Sequence, residues 1–155
     1  MIGFMSVETQ AEADFDRARR RAFYGRVAAR LRRECSRLLA FDEVVEGRLA
    51  RNSRRLGLRD VEVSKIVGSV DRTAAFDCGF MPTKASLEER WKRVDRAFHR
   101  GLDLPAVGLY KMGESYFVED GNHRVSVARY QGLETIEADV TEVFPLHRAR
   151  LGRAA

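Results

Sequence analysis

Apolar and polar residues follow two different periods along the chain, and the change of period separates a leader from a following unit. Over residues 13–39, apolar residues recur three to five positions apart with arginines between them, which predicts a long helix with Gly25 as a candidate bend. A second apolar pattern predicts a short helix over residues 41–54. Residues 61–68 instead alternate apolar and polar side chains, which is typical of a half-buried strand.

A helix and a hairpin are predicted in the middle of the following unit. Ser86 and Glu89 form a capping-box pattern, and apolar residues at helical spacing continue from it, so we predict a helix over residues 87–99. Residues 107–111 and 115–118 have the composition of two strands around a glycine turn, which predicts a hairpin. This part of the unit therefore mixes helix and strand.

A tight turn, one more helix and a last strand complete the predicted order. The stretch from Tyr116 to Gly132 has the pattern of a strand, a turn and a helix, and residues 136–140 have that of a final strand. The unit is therefore predicted to be α+β. Its loops at residues 69–73 and 119–124 can face each other in such a unit.

The same patterns divide the chain into four predicted segments. Residues 1–12 lack periodicity and are predicted to be a flexible N-terminus, and residues 13–58 form an arginine-rich helical segment. Residues 59–145 form the α+β domain, and residues 146–155 form a basic tail. No internal repeat is present.

The positive charge is concentrated in the helical segment. The chain has a formal net charge of +5, and every basic residue between Asp16 and Asp60 is an arginine. Such a block can follow DNA phosphates or bind another acidic partner, and it is equally consistent with a solvated helix face in a protein from an arginine-favouring, GC-rich coding background. The aromatic residues of the helical segment are predicted to be core anchors. A nucleic-acid stacking role would instead need their rings to be exposed. These residues are Phe15, Phe23, Tyr24 and Phe41.

Several classes of protein are disfavoured by composition. No window approaches the ~18 apolar residues that a bilayer span needs, so no membrane partner is expected. The N-terminus has no basic start followed by an apolar core, so no secretory signal is expected. Cys35 and Cys78 stand far apart, without a CxxC neighbour or a histidine at ligand spacing. We therefore expect reduced thiols in a cytoplasmic protein, and the cysteines give no support for zinc.

The turn between the strand predicted at residues 115–118 and the helix that follows it is the first candidate site. The first amide groups of a helix lack internal partners and carry partial positive charge, so an anion is favoured there. Since His123 and Arg124 lie in that turn, we predict a phosphate site. The structural alternative is that Asp120 or Asn122 caps the helix and that the two basic residues are solvated. For the earlier loop, Asp71 is likewise either functional or a turn residue.

Three stretches resemble the ParB/sulfiredoxin-like superfamily over residues 61–143. They are IVGSVDR, LPAVGLYKMGESYFVEDGNHRVSVAR and IEADVTEV. The DGNHR turn is similar to the DG(x)HR turn of ParB-like kinases and nucleases and to the GCHR turn of sulfiredoxins. The chain also resembles small stand-alone bacterial ParB-like proteins in which an arginine-rich helical leader precedes this domain. The resemblance implies a mixed sheet with helices, and a turn that holds nucleotide phosphates.

The resemblance also implies roles for residues of both loops. Gly121 would let the backbone approach the ligand, Asn122 would stand in the phosphate turn, and His123 and Arg124 would contact phosphate oxygens. Arg72 would complete the pocket from the other side. A nucleoside triphosphate with Mg²⁺ is the implied ligand.

Carboxylates of the same loops supply the implied catalytic and metal-binding groups. Glu119 and Asp120 are the nearest carboxylates to hold Mg²⁺, which takes one or two carboxylates together with phosphates. Asp120 is also a candidate catalytic residue. Asp71 would activate a water or a hydroxyl, by analogy with an acidic residue of a ParB-like free serine kinase.

Two functions remain open at this stage. The first is a nucleotide-binding domain that hydrolyses the nucleotide or transfers a phosphoryl group. The second is a DNA-binding regulatory or partition-like module that uses the arginine-rich helices; a nuclease is less supported, because the carboxylates are too few for a two-metal centre. Sulfinic-acid reduction is excluded, since Asn122 stands where sulfiredoxins have cysteine. A homodimer through the helical leader is left open.

Overall fold

The computed structural model describes residues 5–32, 37–45 and 51–145. Its helices are α1 (Val7–Arg32), α2 (Phe41–Val45), α3 (Glu88–His99) and α4 (Asn122–Tyr130). Its strands are β1 (Leu39–Ala40), β2 (Arg51–Glu62), β3 (Ile66–Ser69), β4 (Val107–Met112), β5 (Ser115–Asp120) and β6 (Thr135–Pro145). The predicted basic tail at residues 146–155 lies outside the described residues.

The strands form one mixed sheet, which, together with the helices, confirms the predicted α+β class. The strand order is β1-β3-β5-β4-β6-β2. Strand β3 runs parallel to β1 and β5, and β4 runs parallel to β6, whereas the β4–β5 hairpin and the β2–β6 pair are antiparallel. Because β3 and β5 are parallel neighbours, the loops that follow them leave the same edge of the sheet.

The short helix predicted over residues 41–54 is wrong over residues 51–54, and residues 46–50 lie outside the described residues. Helix α2 ends at Val45, and residues 51–62 form strand β2, which pairs along almost its whole length with β6. Arg54 contacts Glu142 at 2.7 Å, and Arg55 contacts Asp139 at 2.6 Å, both across the strand pair. The strand is thus stabilised by pairing with a segment more than eighty residues away, which local patterning does not show.

The strand predicted over residues 61–68 is also divided. A 3₁₀ turn at Val63–Lys65 separates the end of β2 from β3, so the two halves occupy an edge and an inner position of the sheet. Val63 and Ile66 are both buried. Buried and more exposed side chains do alternate within each half of this segment, but the segment contains the end of one strand and most of another.

Helix α1 begins earlier than predicted and continues without interruption through Gly25. It starts at Val7, inside the segment predicted to be flexible, and the Thr9 amide donates to Ser6 Oγ at 3.2 Å. The Phe15 ring lies 5.7 Å from that of Trp91 on α3, between ring centroids. None of the helices in the described ranges is long and apolar enough to cross a membrane.

Two of the four predicted aromatic anchors lie on the surface instead. Phe15 and Phe41 are buried as predicted, whereas Phe23 is 56% exposed and Tyr24 is 68% exposed. Ala22 lies on the buried face of α1. Each following residue of a helix is rotated by about 100° around its axis, so Phe23 and Tyr24 point away from that face. The prediction that Phe23 and Tyr24 are core residues is therefore wrong.

The core has two parts, one on each face of the sheet. Leu109 and Val118 belong to the large cluster that also contains core residues of α1, α3 and α4. Phe117 belongs instead to a small cluster with Phe41 of α2 and Val143 of β6. Neighbouring residues of one strand therefore serve opposite faces.

Replacing Gly68 should test how tightly β3 is packed between its neighbours. A Cβ atom at this position would stand 2.3 Å from the Leu39 carbonyl oxygen and 2.7 Å from a Phe117 ring carbon. We expect Gly68→Ala to lower the free energy of unfolding by about 1–3 kcal/mol, measured by urea denaturation. Gly25→Ala is the control, because its nearest neighbour would be Asp77 Oδ2 at 3.5 Å and alanine favours a helix by about 1 kcal/mol. Equal stability of Gly68→Ala and the wild type would contradict this packing.

Candidate functional site

A cavity of about 460 Å³ lies where the loops after β3 and β5 meet. Every residue that the sequence indicated for the site lines it: Asp71, Arg72, Glu119, Asp120, Gly121, Asn122, His123 and Arg124. Arg90 and Arg93 of α3 line it as well. We call it the arginine cavity. The two loops therefore face each other, because they follow the parallel strands β3 and β5.

The loop after β3 is held against β5 by its backbone and by one buried hydroxyl. The Val70 amide donates to the Val118 carbonyl at 3.0 Å. The Ser69 hydroxyl donates to the same carbonyl at 3.3 Å and accepts from the Arg72 amide at 3.3 Å. These contacts fix the start of the loop, so Asp71 and Arg72 reach the cavity from an anchored backbone. Both side chains are exposed.

Gly121 connects β5 to α4 in a conformation that favours glycine. Its φ angle is 102°, and a Cβ atom there would stand 2.7 Å from Val107 Cγ1. Gly121 is also the residue that precedes the first turn of α4, so no side chain of the cap residue satisfies the first amides. The capping role considered for Asp120 and Asn122 is thus not what α4 uses. An anion at this helix start would meet unsatisfied amides and the positive end of the helix dipole.

Arg124 makes structural contacts that the sequence did not indicate. Its guanidinium donates to the carbonyl oxygens of Pro105 and Ala106, the latter at 2.8 Å. It also contacts Asp120 Oδ2 at 2.6 Å, and its side chain is only 14% exposed. Arg124 therefore holds the segment before β4 against the start of α4.

Three other arginines line the cavity with guanidinium groups that, unlike that of Arg124, are not engaged in an ion pair in the described part of the chain. Arg72, Arg90 and Arg93 are exposed in the cavity wall, and within residues 5–32, 37–45 and 51–145 they form no ion pair. The sequence did not indicate Arg90 and Arg93, although they stand three residues apart on one side of α3. Only the packing of α3 beside α4 shows that this side faces the turn at residues 119–124.

His123 lies in a desolvated and cationic environment. Burial, together with the charges of Arg90 and Arg72, lowers the pKa of His123 to about 4. Its ring packs edge-on against Phe76, with 5.4 Å between centroids. The Nδ1 atom is buried and has no hydrogen-bond partner among the described residues. At neutral pH His123 is therefore an uncharged imidazole with one polar atom left to satisfy.

The carboxylates predicted for magnesium keep part of their coordination capacity. Glu119 Oε1 accepts from the Tyr110 hydroxyl at 2.7 Å, and Asp120 Oδ2 is paired with Arg124. The second oxygen of each has no hydrogen bond to another described side chain. Among those residues, Asp71, Glu119 and Asp120 do not converge into a compact group of three ligands. One or two carboxylates beside phosphates would still suit Mg²⁺.

Comparison with known proteins gives no relative for this chain. No protein-family model, curated protein or solved structure matches it significantly. The fold consists of a long helix and a six-stranded mixed sheet, with the arginine cavity at one edge of the sheet.

The pH dependence of stability should report the environment of His123. Its pKa is about 4 in the folded protein against 6.5 for the free side chain, so the unfolded chain binds the proton more readily. This contribution to stability is fully present above pH 6.5 and is lost as the pH falls toward 4. We expect His123→Gln to lose stability less steeply than the wild type over that window, in urea denaturations at pH 7.5, 5.5 and 4.5. Parallel profiles for the two proteins would show that His123 titrates normally.

Proposed function

We propose that the chain binds a nucleoside triphosphate with its phosphates in the arginine cavity. The observation that carries the proposal is the convergence of Arg72, Arg90 and Arg93 on the start of α4, where none of them has an ion-pair partner among the described residues. Like charges that line one cavity without forming ion pairs repel each other, and a bound polyanion would relieve that repulsion. Arginine is well suited to this role, because its planar fork can bind phosphate oxygens in pairs.

The other parts of the cavity support the same ligand. The open amides at the start of α4 can donate to one phosphate group, and neutral His123 can donate from a ring nitrogen. A volume of about 460 Å³ falls in the range of small-molecule sites. The resemblance of the DGNHR turn to phosphate-binding turns of ParB-like proteins points the same way.

Turnover of the nucleotide is the further part of the proposal. Mg²⁺ would be held by the remaining oxygens of Glu119 and Asp120 and would neutralise charge on the phosphates. Arg72, Arg90 and Arg93 would stabilise the transferred group, since phosphoryl transfer depends mainly on positioning and electrostatics. Asp71 is exposed at the rim, where it can accept a proton from a water or a hydroxyl acceptor. The chain would then hydrolyse the nucleotide or act as a kinase-like phosphotransferase.

Calorimetric titration with ATP, CTP, GTP and ADP in the presence of Mg²⁺ tests the binding step. We expect micromolar binding of one nucleotide, and a loss of about tenfold or more in Arg90→Ala and in Arg93→Ala, because each removes a charge-assisted contact. Arg59→Ala is the matched control, since Arg59 lies on β2 and contacts the Leu56 carbonyl. Absence of binding to all four nucleotides would refute the proposal.

Arg124→Ala would not test phosphate binding alone, because Arg124 also makes structural contacts. It would remove the contacts to Pro105, Ala106 and Asp120 together. Its effect on affinity should therefore be interpreted beside a measured free energy of unfolding.

A second function is favoured by the exposure of the leader helix. Phe23 and Tyr24 lie on the surface of α1 with their ring centroids 5.5 Å apart. Exposed arginines surround them, and these make no ion pair within the described part of the chain: Arg19, Arg20, Arg26 and Arg30. Exposed aromatic rings among arginines form a stacking and phosphate-binding surface for single-stranded nucleic acid.

The DNA-binding alternative predicts a different pattern of losses. Affinity for single-stranded DNA should fall about tenfold or more between ~50 and ~200 mM salt, since binding releases counter-ions. Tyr24→Ala should weaken it further, whereas Arg90→Ala should leave it unchanged, as measured by fluorescence anisotropy. Salt-independent binding, or equal losses in both variants, would contradict a nucleic-acid surface on α1. Light scattering on the same samples would reveal whether Phe23 and Tyr24 instead mediate a homodimer.

A further inference from the structure

A buried polar cluster joins α1, α3 and α4 away from the residues proposed to bind phosphate. Asp14 of α1 is 2% exposed and Asp95 of α3 is 0% exposed. His99 follows Asp95 by four residues on α3, so both side chains lie on one face of that helix. One ligand atom from each of the three residues lies within 4.8 Å of the others. We call these three residues the interhelical cluster.

The spacing of the donor atoms in the interhelical cluster is close to that of a metal centre. His99 Nε2 stands 2.9 Å from Asp14 Oδ2 and 3.3 Å from Asp95 Oδ2. Ligands at ~2.0–2.1 Å from a tetrahedral zinc ion stand roughly 3.3 Å from one another. Shifts of a few tenths of an ångström would therefore admit an ion. Two ligands four residues apart on a helix are also a common metal-binding arrangement.

One oxygen of the interhelical cluster lacks a partner. Asp95 Oδ1 accepts from the Gln131 amide at 2.8 Å, whereas Asp95 Oδ2 is buried and has no hydrogen-bond partner among the described residues. His99 Nε2 is near this oxygen but does not have the alignment of a hydrogen bond. A buried carboxylate oxygen without a partner is costly. The unpartnered oxygen lies 3.3 Å from His99 Nε2, so a cation bound by His99 could also coordinate it.

Surrounding side chains hold Asp14 as outer partners hold a metal ligand. Asp14 Oδ1 accepts from the Tyr130 hydroxyl at 2.9 Å and from Arg17, whereas Oδ2 lies 2.9 Å from His99 Nε2 and accepts from the Gln10 amide at 3.1 Å. Hydrogen bonds of this kind fix the direction of ligating carboxylates. The Gln131 amide donates to Asp14 Oδ2 at 3.3 Å as well as to Asp95 Oδ1, so it holds both carboxylates in place.

We propose that Asp14, Asp95 and His99 bind a divalent transition-metal ion, for which zinc is the best match. One imidazole and two carboxylates form a mixed nitrogen and oxygen donor set that suits Zn²⁺, and a water completes four-fold coordination. The ion links the leader helix α1 to α3 of the domain. Its role is structural, since the two carboxylate ligands are buried between the helices.

Cobalt titration of chelator-treated protein tests this site directly. We expect one Co²⁺ ion per chain with the visible absorption of a four-coordinate site, displaced by Zn²⁺, and a higher melting temperature with Zn²⁺. Asp95→Asn and His99→Gln should each weaken binding about tenfold or more, with the fold checked by circular dichroism. Asp103→Asn, at an exposed carboxylate, and Cys78→Ser are controls that should bind as the wild type does.

Two results would overturn the proposal. The first is absence of stoichiometric binding to the wild type, in which case His99 and Gln131 only hydrogen-bond the two carboxylates. The second is unchanged binding in both Asp95→Asn and His99→Gln, which would place the ion elsewhere. His99→Gln keeps the test decisive if Asp95→Asn fails to fold, because the His99 side chain is 24% exposed.

Discussion

The parallel pairing of β3 with β5 is the constraint on which the rest of the candidate site depends. Ser69 pairs with Val118, so the loop after β3 and the turn after β5 emerge side by side. The pairing requires a residue without a side chain at Gly68, where the Leu39 carbonyl and the Phe117 ring approach closely. In an antiparallel pair the two loops would leave opposite ends of the sheet, and the arginine cavity would not exist.

The arginines, which dominate the charge of the chain, occupy three different environments. On β2, Arg54 and Arg55 are neutralised by acids of the paired strand and so stabilise the sheet edge. On the outer face of α1 they are solvated around exposed aromatic rings. In the arginine cavity, Arg72, Arg90 and Arg93 are brought together without ion-pair partners in the described chain. The abundant arginines thus have a structural role on β2, form a candidate nucleic-acid surface on α1 and form a candidate phosphate site in the arginine cavity.

The leader helix is joined to the α+β unit by both packing and polar contacts. Phe15 packs against Trp91, and Asp14 accepts hydrogen bonds from Tyr130 and His99. Strand β2 also crosses the boundary predicted at residue 58, because residues on both sides of it pair with β6. The leader and the sheet therefore share one core. A ligand at the interhelical cluster would strengthen the same junction.

The sequence by itself determined the elements whose signals are local. Helical spacing predicted α3, alternation around a glycine turn predicted the β4–β5 hairpin, and the DGNHR residues predicted the turn into α4. The eight site residues chosen from two loops were also brought to one cavity. Periodicity and turn chemistry need only neighbouring residues, so they can be read before the fold is known.

Only the tertiary structure decided the features that depend on partners distant in sequence. Residues 51–62 are a strand because β6 supplies the pairing groups, and Tyr24 is exposed because α1 docks on α3 through its other face. Arg90 enters the cavity only through the packing of α3 beside α4, and Asp14 meets Asp95 only where α1 crosses α3. These arrangements follow from long-range packing, which overrides local propensity and leaves no period in the sequence.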